Sequence, residues 1–261
     1  MLGAIAGDVI GSVHEAAATK TKRFSLFVPD STFTDDTVLT VAIADSMLNG
    51  SDYVETLQRY YRAYPDAGYG ASFAHWAQCR RKEPYNSWGN GSAMRVSPVA
   101  YIDESFDYVL EEAKRSAEVT HNHEEGIRGA QATVAAIFLA RCGSTKEEIR
   151  DFIQENFGYR FDKSLAQIRR TYLFDVSCQG SVPQSILAFL ESTSYEDAVR
   201  NAISLGGDAD TMACIAGGIA EAFYGGVPED ISTRTLALLD EPMREVVKEF
   251  RHRYFSNFPD T

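Results

Sequence analysis

The sequence predicts an all-α fold, and three features of the 261-residue chain indicate it. Apolar residues recur at helical spacing wherever a pattern can be read. No stretch shows the period-two alternation of a half-buried strand. Residues that typically end helices, such as Asn49-Gly50 and Gly143, stand between the apolar segments. We therefore expect helices alone to build the core.

The first helix is expected over residues 1–12, where Gly3, Gly7 and Gly11 stand four residues apart. That spacing leaves one stripe of the helix without side chains, so that a neighbouring backbone can approach closely. A further helix should lie between its N-cap Ser51 and Pro65. The other helices are expected at about 36–48, 70–81, 105–120, 123–142, 144–158, 182–192, 195–205, 210–224 and 241–255.

Two of these helices carry informative details. Ser144 followed by Glu147 predicts a capping box at the start of the helix that ends near Gly158. The helix over 210–224 contains Gly217 and Gly218, each of which costs roughly 1 kcal/mol of helix propensity relative to Ala. A helix that tolerates this cost is usually buried and tightly packed, and this one begins at an acidic cluster.

Composition limits both organisation and function. Apolar residues make up 44% and charged residues 24% of the chain, and no linker interrupts it, so we expect a single domain over residues 1–261. A net charge of −12 argues against general nucleic-acid binding and against binding to anionic membranes. Asp8 interrupts the first apolar run and no basic segment precedes it, which predicts a cytoplasmic protein without a signal peptide.

The four cysteines are widely spaced and form neither a CxxC pair nor a cluster with zinc-ligand spacing. We expect all four to be reduced, buried and small apolar residues, namely Cys79, Cys142, Cys178 and Cys214. This use of cysteine fits a reducing compartment.

Two acidic clusters, 34–37 (TDDT) and 208–211 (DADT), follow the same plan of a turn, two carboxylates with a threonine, and an apolar helix. Asp and Thr are preferred N-caps, so helix capping alone explains part of this pattern. A cap needs one acceptor, however, and each cluster offers two carboxylates whose charges repel unless a cation intervenes. Oxygen ligands of this kind suit Mg²⁺, Mn²⁺ or Ca²⁺, which leaves capping and metal binding as the two interpretations.

Further polar and aromatic residues are candidates for the same site. Glu15 follows the glycine-striped helix and can reach a site packed against it, with a solvated surface acid as the alternative. Asp8 lies inside the helix and is a candidate either for a buried structural acid or for a group that supports the ligands of the site. The segment 88–95 (WGNGSAMR) reads as a turn that opens a short helix, where free backbone N–H groups can bind an anion. Tyr85 adds a flat surface beside it. His121 and His123 stand at a helix junction, where capping is the ordinary role.

Five segments follow one another from end to end of the chain: GAIAGDVIGSVHE, FTDDT, GNGSAMRVSPVA, THNHEEGIRGA and SLGGDADTMACIAGGIAEAFYGGVP. In these segments, taken in this order, the chain resembles the ADP-ribosylglycohydrolase family, and its bacterial members most. The resemblance implies a compact orthogonal bundle of many helices with two Mg²⁺ ions, or Mn²⁺, at the base of a cleft. The implied metal ligands are Thr34, Asp35, Asp36, Asp208, Asp210 and Thr211.

The same resemblance implies roles in catalysis and substrate binding. Glu15 matches the family's mobile catalytic glutamate, and Asp35 or Asp36 is the second candidate for proton transfer. Trp88 stands where some relatives have Tyr, so a stacking surface carries over and a hydroxyl does not. The implied substrate-binding residues are Ser87, Trp88, Gly89, Asn90, Gly91, Ser92, Met94 and His121.

The expected reaction is hydrolysis of the bond between C1″ of ADP-ribose and an acceptor on a protein side chain, a nucleobase or a small conjugate. An all-α Mg²⁺-dependent nucleotide pyrophosphohydrolase is one alternative, although its Glu ligands are expected at i, i+3 or i+4 along a helix. A non-catalytic ADP-ribose-binding protein is another, and the intact acidic set argues against it. Sequence does not select the acceptor.

Overall fold

The computed structural model describes residues 1–254, and helices account for the regular structure within that range. The helices are α1 (Leu2–Gly11), α2 (Asp35–Asn49), α3 (Tyr53–Ala63), α4 (Ala71–Gln78), α5 (Gly91–Met94), α6 (Phe106–Glu118), α7 (Glu124–Arg141), α8 (Lys146–Phe157), α9 (Leu165–Arg169), α10 (Cys178–Leu190), α11 (Tyr195–Ile203), α12 (Ala209–Tyr224), α13 (Glu229–Leu238) and α14 (Glu241–Tyr254), with a 3-10 helix over Ser97–Tyr101. The described part contains no strand, only one isolated bridge between Gly89 and Ser177. The all-α prediction is confirmed.

Helix α12 lies at the centre of the molecule. Every residue from Ala209 to Ala222 is buried, and the helix packs against α1, α7, α10 and α11. The expectation of a tightly packed, buried helix is therefore confirmed. A Cβ atom added to Gly218 would lie at ordinary van der Waals distance from its neighbours. One added to Gly217 would lie directly against the α1 backbone.

The glycine stripe of α1 faces α12, as its spacing predicts. A Cβ atom on Gly7 would lie 2.1 Å from the carbonyl oxygen of Ala213, and one on Gly3 would lie 2.5 Å from that of Gly217. A Cβ on Gly11 would lie 2.5 Å from the Cα of Asp210. Real side chains do not tolerate such contacts, so the stripe lets the two backbones touch and carries α1 to the first turn of α12.

Some helix boundaries differ from the sequence prediction. The capping box of α8 uses Thr145 and Glu148, one residue after the predicted pair, because the backbone N–H of Ser144 donates to Leu139 to close α7. Helix α10 begins at Cys178, before the predicted start, and includes Pro183. Helix α5, of four residues, is the short helix expected within the segment 88–95. Helices α9 and α13 were not predicted, and α9 is only five residues long. The predicted last residue of the final helix, 255, lies outside the described residues.

The cysteine prediction is half correct. All four thiols are free, and Cys178 and Cys214 are buried, but Cys79 and Cys142 are exposed. Cys79 and Cys142 occupy the C-cap positions of α4 and α7, where the chain leaves the core. Within the described range no helix is both long and apolar enough to cross a membrane.

Candidate active site

One cleft of 380 Å³ opens between the first turns of α2 and α12 and the segment that leads into α5. It brings together residues from seven separate parts of the chain. The predicted site residues that line it are Glu15, Thr34, Asp35, Asp36, Ser87, Gly89, Asn90, Gly91, Met94, His121, Asp208, Asp210 and Thr211. The two acidic clusters, about 170 residues apart in sequence, therefore share one site.

Asp8 joins α1 to the beginning of α2. Its side chain is fully buried and accepts hydrogen bonds from the backbone N–H and the hydroxyl of both Thr34 and Thr37. Four donors to one carboxylate fix the orientation of the first turn of α2 relative to α1. Asp8 is thus a buried acid that positions the first acidic cluster, one of the two roles open to it from sequence.

The aspartates at the two helix starts leave capping to other groups. Thr34 is the N-cap of α2 and its hydroxyl accepts from the backbone N–H of Asp36 at 3.3 Å. Asp208 occupies the N-cap position of α12, yet its side chain makes no capping hydrogen bond. Asp36 accepts from the hydroxyl of Thr211 at 3.1 Å through Oδ2, while its buried Oδ1 has no hydrogen-bond partner. Capping therefore does not account for these carboxylates.

Burial raises the pKa values of these carboxyl groups. Asp8, Asp35, Asp36 and Asp208 all lose solvent, and the neighbouring Asp210 carboxylate raises the pKa of each further. Like charges packed this closely destabilise one another unless a cation or protons intervene. The electrostatics thus fit a group of carboxylates that binds positive charge.

Two sets of three acids are close enough to hold a cation. Asp8, Asp36 and Asp210 form the first set, and Glu15, Asp208 and Asp210 form the second; within each set the ligand oxygens lie within 4.8 Å of one another. Asp210 belongs to both sets. The residues present therefore fit two adjacent positions for hard divalent cations, with Asp210 between them.

Glu15 is the exposed acid of the second set and lies in the turn that follows α1. Loss of solvent raises its pKa, and Asp210 raises it further. Because it sits on a turn and not in a packed helix, it has more freedom to move than the buried aspartates. Its position at the edge of the cleft suits a group that handles protons there.

The segment before α5 is fastened to the second acidic cluster. Asn90 is buried, and its side-chain amide donates to Asp208 at 2.7 Å and to Ser181 at 3.2 Å. Its backbone N–H donates to the carbonyl of Val176 at 2.8 Å. The Ser87 hydroxyl accepts from the backbone N–H of Gly89 at 3.1 Å. This network fixes the loop against the carboxylates.

Two residues predicted to bind substrate lie outside the cleft lining. Ser92 is fully buried and donates to the carbonyl of Gly126, so it attaches α5 to α7. Trp88 is 53% exposed, with its ring centroid 5.7 Å from that of His123. His123 itself caps α7, as expected from its place at a helix junction.

Several residues that line the cleft were not singled out from the sequence. Arg95 is fully buried at its inner wall, and the segment 68–73 before and within α4 forms another wall. A single arginine at the end of a turn motif normally indicates an exposed cation, so sequence gave no sign of its burial. The Gly68 and Gly70 pair was the available signal for a backbone wall.

The chain is similar to a known family, to named proteins and to a solved structure over most of its length. A family model described as ADP-ribosylglycohydrolase matches residues 1–259. ADP-ribosylhydrolase ARH3 of Mus musculus is 28% identical to this chain, over 86% of it and 82% of that protein. ADP-ribosylarginine hydrolase Tri1 of Pseudomonas putida (strain GB-1) is 27% identical, over 88% and 71% respectively. A solved chain from an ADP-ribosylglycohydrolase-related protein complex shares the fold, with a TM-score of 0.68, 22% identity and 96% coverage of both chains.

Proposed function

Because the chain belongs to the ADP-ribosylglycohydrolase family, we propose that it hydrolyses the bond between ADP-ribose and an acceptor in a reaction that depends on divalent cations. Reversal of ADP-ribosylation on a protein, a nucleobase or a small conjugate is the resulting function. The relatives described above carry the names of hydrolases that act on such groups. Their names support the reaction class for this chain.

The single observation that carries the proposal is that Asp210 belongs to both sets of acids that are close enough to hold a cation. Two sets that share one acid support two adjacent cation positions in one cleft, with buried Asp36 in the first set and buried Asp208 in the second. Oxygen-only donors of this kind favour Mg²⁺, with Mn²⁺ as the alternative. When bound, two such ions supply positive charge for the ribose hydroxyls and make a bound water more acidic.

The chain's own residues account for proton movement. Water forms a bond to C1″ as the bond from C1″ to the acceptor breaks, so the water must lose a proton and the acceptor must gain one. Glu15 lies at the cleft edge with a raised pKa and can carry a proton at one carboxyl oxygen. Asp35, whose backbone N–H donates to the carbonyl of Ala67, is the second candidate for proton transfer.

The opposite side of the cleft suits the ADP part of the substrate. Gly89 and Gly91 present backbone there, and Tyr85 offers an aromatic surface. His121 lies behind the loop with one ring nitrogen towards the cleft. A substrate bound across the cleft places its diphosphate on this side and its ribose near the carboxylates.

A conjugate panel tests the proposal. ADP-ribosyl-arginine, ADP-ribosyl-serine, an ADP-ribosylated nucleobase and the acetyl ester of ADP-ribose are incubated with the protein in Mg²⁺, in Mn²⁺ and in chelator. We expect free ADP-ribose from at least one conjugate, and only when a divalent cation is present. The arginine conjugate comes first, because one relative is named for it.

The products distinguish the alternatives. AMP with ribose phosphate supports a pyrophosphohydrolase and contradicts the proposal. Tight ADP-ribose binding without release of product from any conjugate supports a non-catalytic binding protein. Equal turnover in chelator contradicts the cation requirement while leaving the glycosidic reaction in place.

A further inference from the structure

Arg95 is an unusual residue in the wall of the cleft because its guanidinium is fully buried and forms no ion pair within 4 Å with any described carboxylate. Its Nη2 donates to the carbonyl of Ser116 at 2.9 Å and to the hydroxyl of Thr120 at 2.7 Å. Its Nε and Nη1 make no hydrogen bond to any described residue. A buried cation with so few partners costs stability, so a role at the cleft is the natural reason for its presence.

The hydroxyl of Thr120 stands between Arg95 and His121. A guanidinium only donates hydrogen bonds, so the Thr120 oxygen accepts from Arg95 and has a single hydrogen left to give. Acceptors near that hydrogen are the Nδ1 of His121 at 2.7 Å, the carbonyl of Ala117 at 3.5 Å and the phenolic oxygen of Tyr85. The Ala117 carbonyl already accepts from the backbone N–H groups of Thr120 and His121, and the contact to Nδ1 is the shorter, so the arrangement favours a hydroxyl hydrogen directed at Nδ1.

The other ring nitrogen of His121, Nε2, lies beside two glycines of the cleft lining. A Cβ atom on Gly91 would lie 3.1 Å from Nε2, and one on Gly89 would lie 3.7 Å from it. His121 lines the cleft and is buried, with 5% of its surface exposed. No described residue forms a hydrogen bond with its Nε2. The two glycines therefore leave room in front of this nitrogen for a ligand atom.

We propose that Arg95 and Thr120 are positioning residues that keep the ring hydrogen of His121 on Nε2, so that this N–H donates to an anionic oxygen of the bound diphosphate. The inference rests on the proposed function for the identity of the ligand. Its geometry rests on the sequence of contacts from Arg95 to Thr120 to Nδ1 of His121. A ring whose Nδ1 accepts a hydrogen bond must carry its hydrogen on Nε2 when it is neutral.

Charge strengthens the case that the tautomer matters. Burial lowers the pKa of His121 well below its usual value, and the nearby Arg95 lowers it further, so the imidazole is neutral near pH 7. A neutral imidazole has only one N–H, whereas an imidazolium has two. The position of that one hydrogen decides whether Nε2 of His121 presents a hydrogen-bond donor or an acceptor lone pair to a ligand in the cleft.

The first test is a measurement on the unaltered protein. Long-range ¹⁵N–¹H correlation spectra of ¹⁵N-histidine-labelled protein distinguish the ring nitrogen that bears hydrogen from the one that does not. We expect the His121 signals to show hydrogen on Nε2, with and without ADP-ribose. Hydrogen on Nδ1 overturns the inference, and this reading needs neither a variant nor enzymatic activity.

The second test separates positioning from folding. Thr120→Val removes the hydroxyl and keeps the shape, so we expect a mixed tautomer and about a fivefold rise in the Kd for ADP-ribose by titration calorimetry. Thr120→Ser restores the hydroxyl and should restore both readings. Thr235→Val is the matched control, because Thr235 is equally buried on α13 and its hydroxyl has no partner.

The outcomes separate the two proposals. An unchanged Kd and tautomer in Thr120→Val overturn the positioning role of Thr120. The same loss of affinity in Thr235→Val assigns the effect to general packing and also overturns it. Failure of the unaltered protein to bind ADP-ribose contradicts the proposed function, while the tautomer spectrum still decides the inference.

Discussion

The two sides of the cleft are built in different ways. The carboxylate side stands on the first turns of α2 and α12, both buried and connected through α1 by direct backbone contact and by Asp8. The opposite side is a short irregular segment, 85–91, held by single hydrogen bonds to Val176, Ser181 and Asp208. The first side fixes the positions of charges through packing, and the second presents backbone and ring atoms to a ligand. We therefore expect chemistry to depend on the first and affinity on the second.

The largest effect should follow from a methyl group placed between α1 and α12. In Gly7→Ala the new Cβ meets the Ala213 carbonyl 2.1 Å away, so the helices must separate. We expect the free energy of unfolding to fall by about 3 kcal/mol or more, with loss of activity. Thermal unfolding by circular dichroism measures it. The control is Gly218→Ala, whose Cβ meets neighbours at 3.5 Å and should leave stability equal or slightly higher.

The next effect concerns chemistry without loss of the fold. Asp210→Asn keeps the shape of the residue shared by both acid sets and removes its charge. Stabilisation by metal ions is worth several kcal/mol, so we expect kcat to fall about a thousandfold, together with weaker Mg²⁺ binding. Steady-state kinetics and calorimetry give the two values. Asp151→Asn, an exposed acid on α8, makes the same charge change, and equal activity in the two variants would contradict the assignment.

A smaller effect of opposite sign is expected for stability without divalent cations. The pKa of Asp36 is raised, which means that its ionised form destabilises the folded state near pH 7, and Asn removes that charge. Asp36→Asn should therefore raise the unfolding temperature in chelator by about 3 °C, equivalent to ~1 kcal/mol. Added Mg²⁺ should stabilise the unaltered protein more than the variant. A lower unfolding temperature in chelator would show that Asp36 is not under charge repulsion.

The smallest effect should arise at the exposed rim of the loop side. Trp88 lies outside the cleft lining, so Trp88→Ala should leave the Kd for free ADP-ribose within about twofold and unfolding within about 0.5 kcal/mol. We expect the KM for an ADP-ribosylated protein to rise about threefold, because the exposed Trp88 ring beside the cleft is available to the protein part of such a substrate. Tyr108→Ala is the control, since Tyr108 is similarly exposed on α6. A large loss of ADP-ribose affinity would place Trp88 on the ligand itself.

Sequence was most informative where a local pattern has one physical cause. Periodicity and stop residues predicted the long helices, and the four-residue glycine spacing predicted the close approach that α12 provides. It was less informative where two patterns compete over adjacent residues. Ser144 and Thr145 each have a Glu three residues later, and only the closing hydrogen bond of α7 decides between them.

The site shows the same limit. The acidic residues, which the fold brings into one cleft, could be singled out from sequence because two carboxylates at one helix start exceed what capping requires. Arg95 was not found, because nothing local to an arginine in a turn motif shows that Ser116 and Thr120 will enclose it. The role of Asp8 stayed open for the same reason, since its partners Thr34 and Thr37 lie on another helix. Contacts between distant segments are set by the whole fold and leave no signal in a short window.

The packing of α1 on α12 also has a consequence for how the protein is made. All ten residues of α1 are buried in the finished protein, yet α12 begins about 200 residues later in the chain. At ribosomal rates of about 5–20 residues per second, α1 waits about 10–40 seconds for the helix that covers its glycine stripe. A nascent chain therefore carries its first acidic cluster long before the second exists, and the complete acid set assembles only near the end of translation.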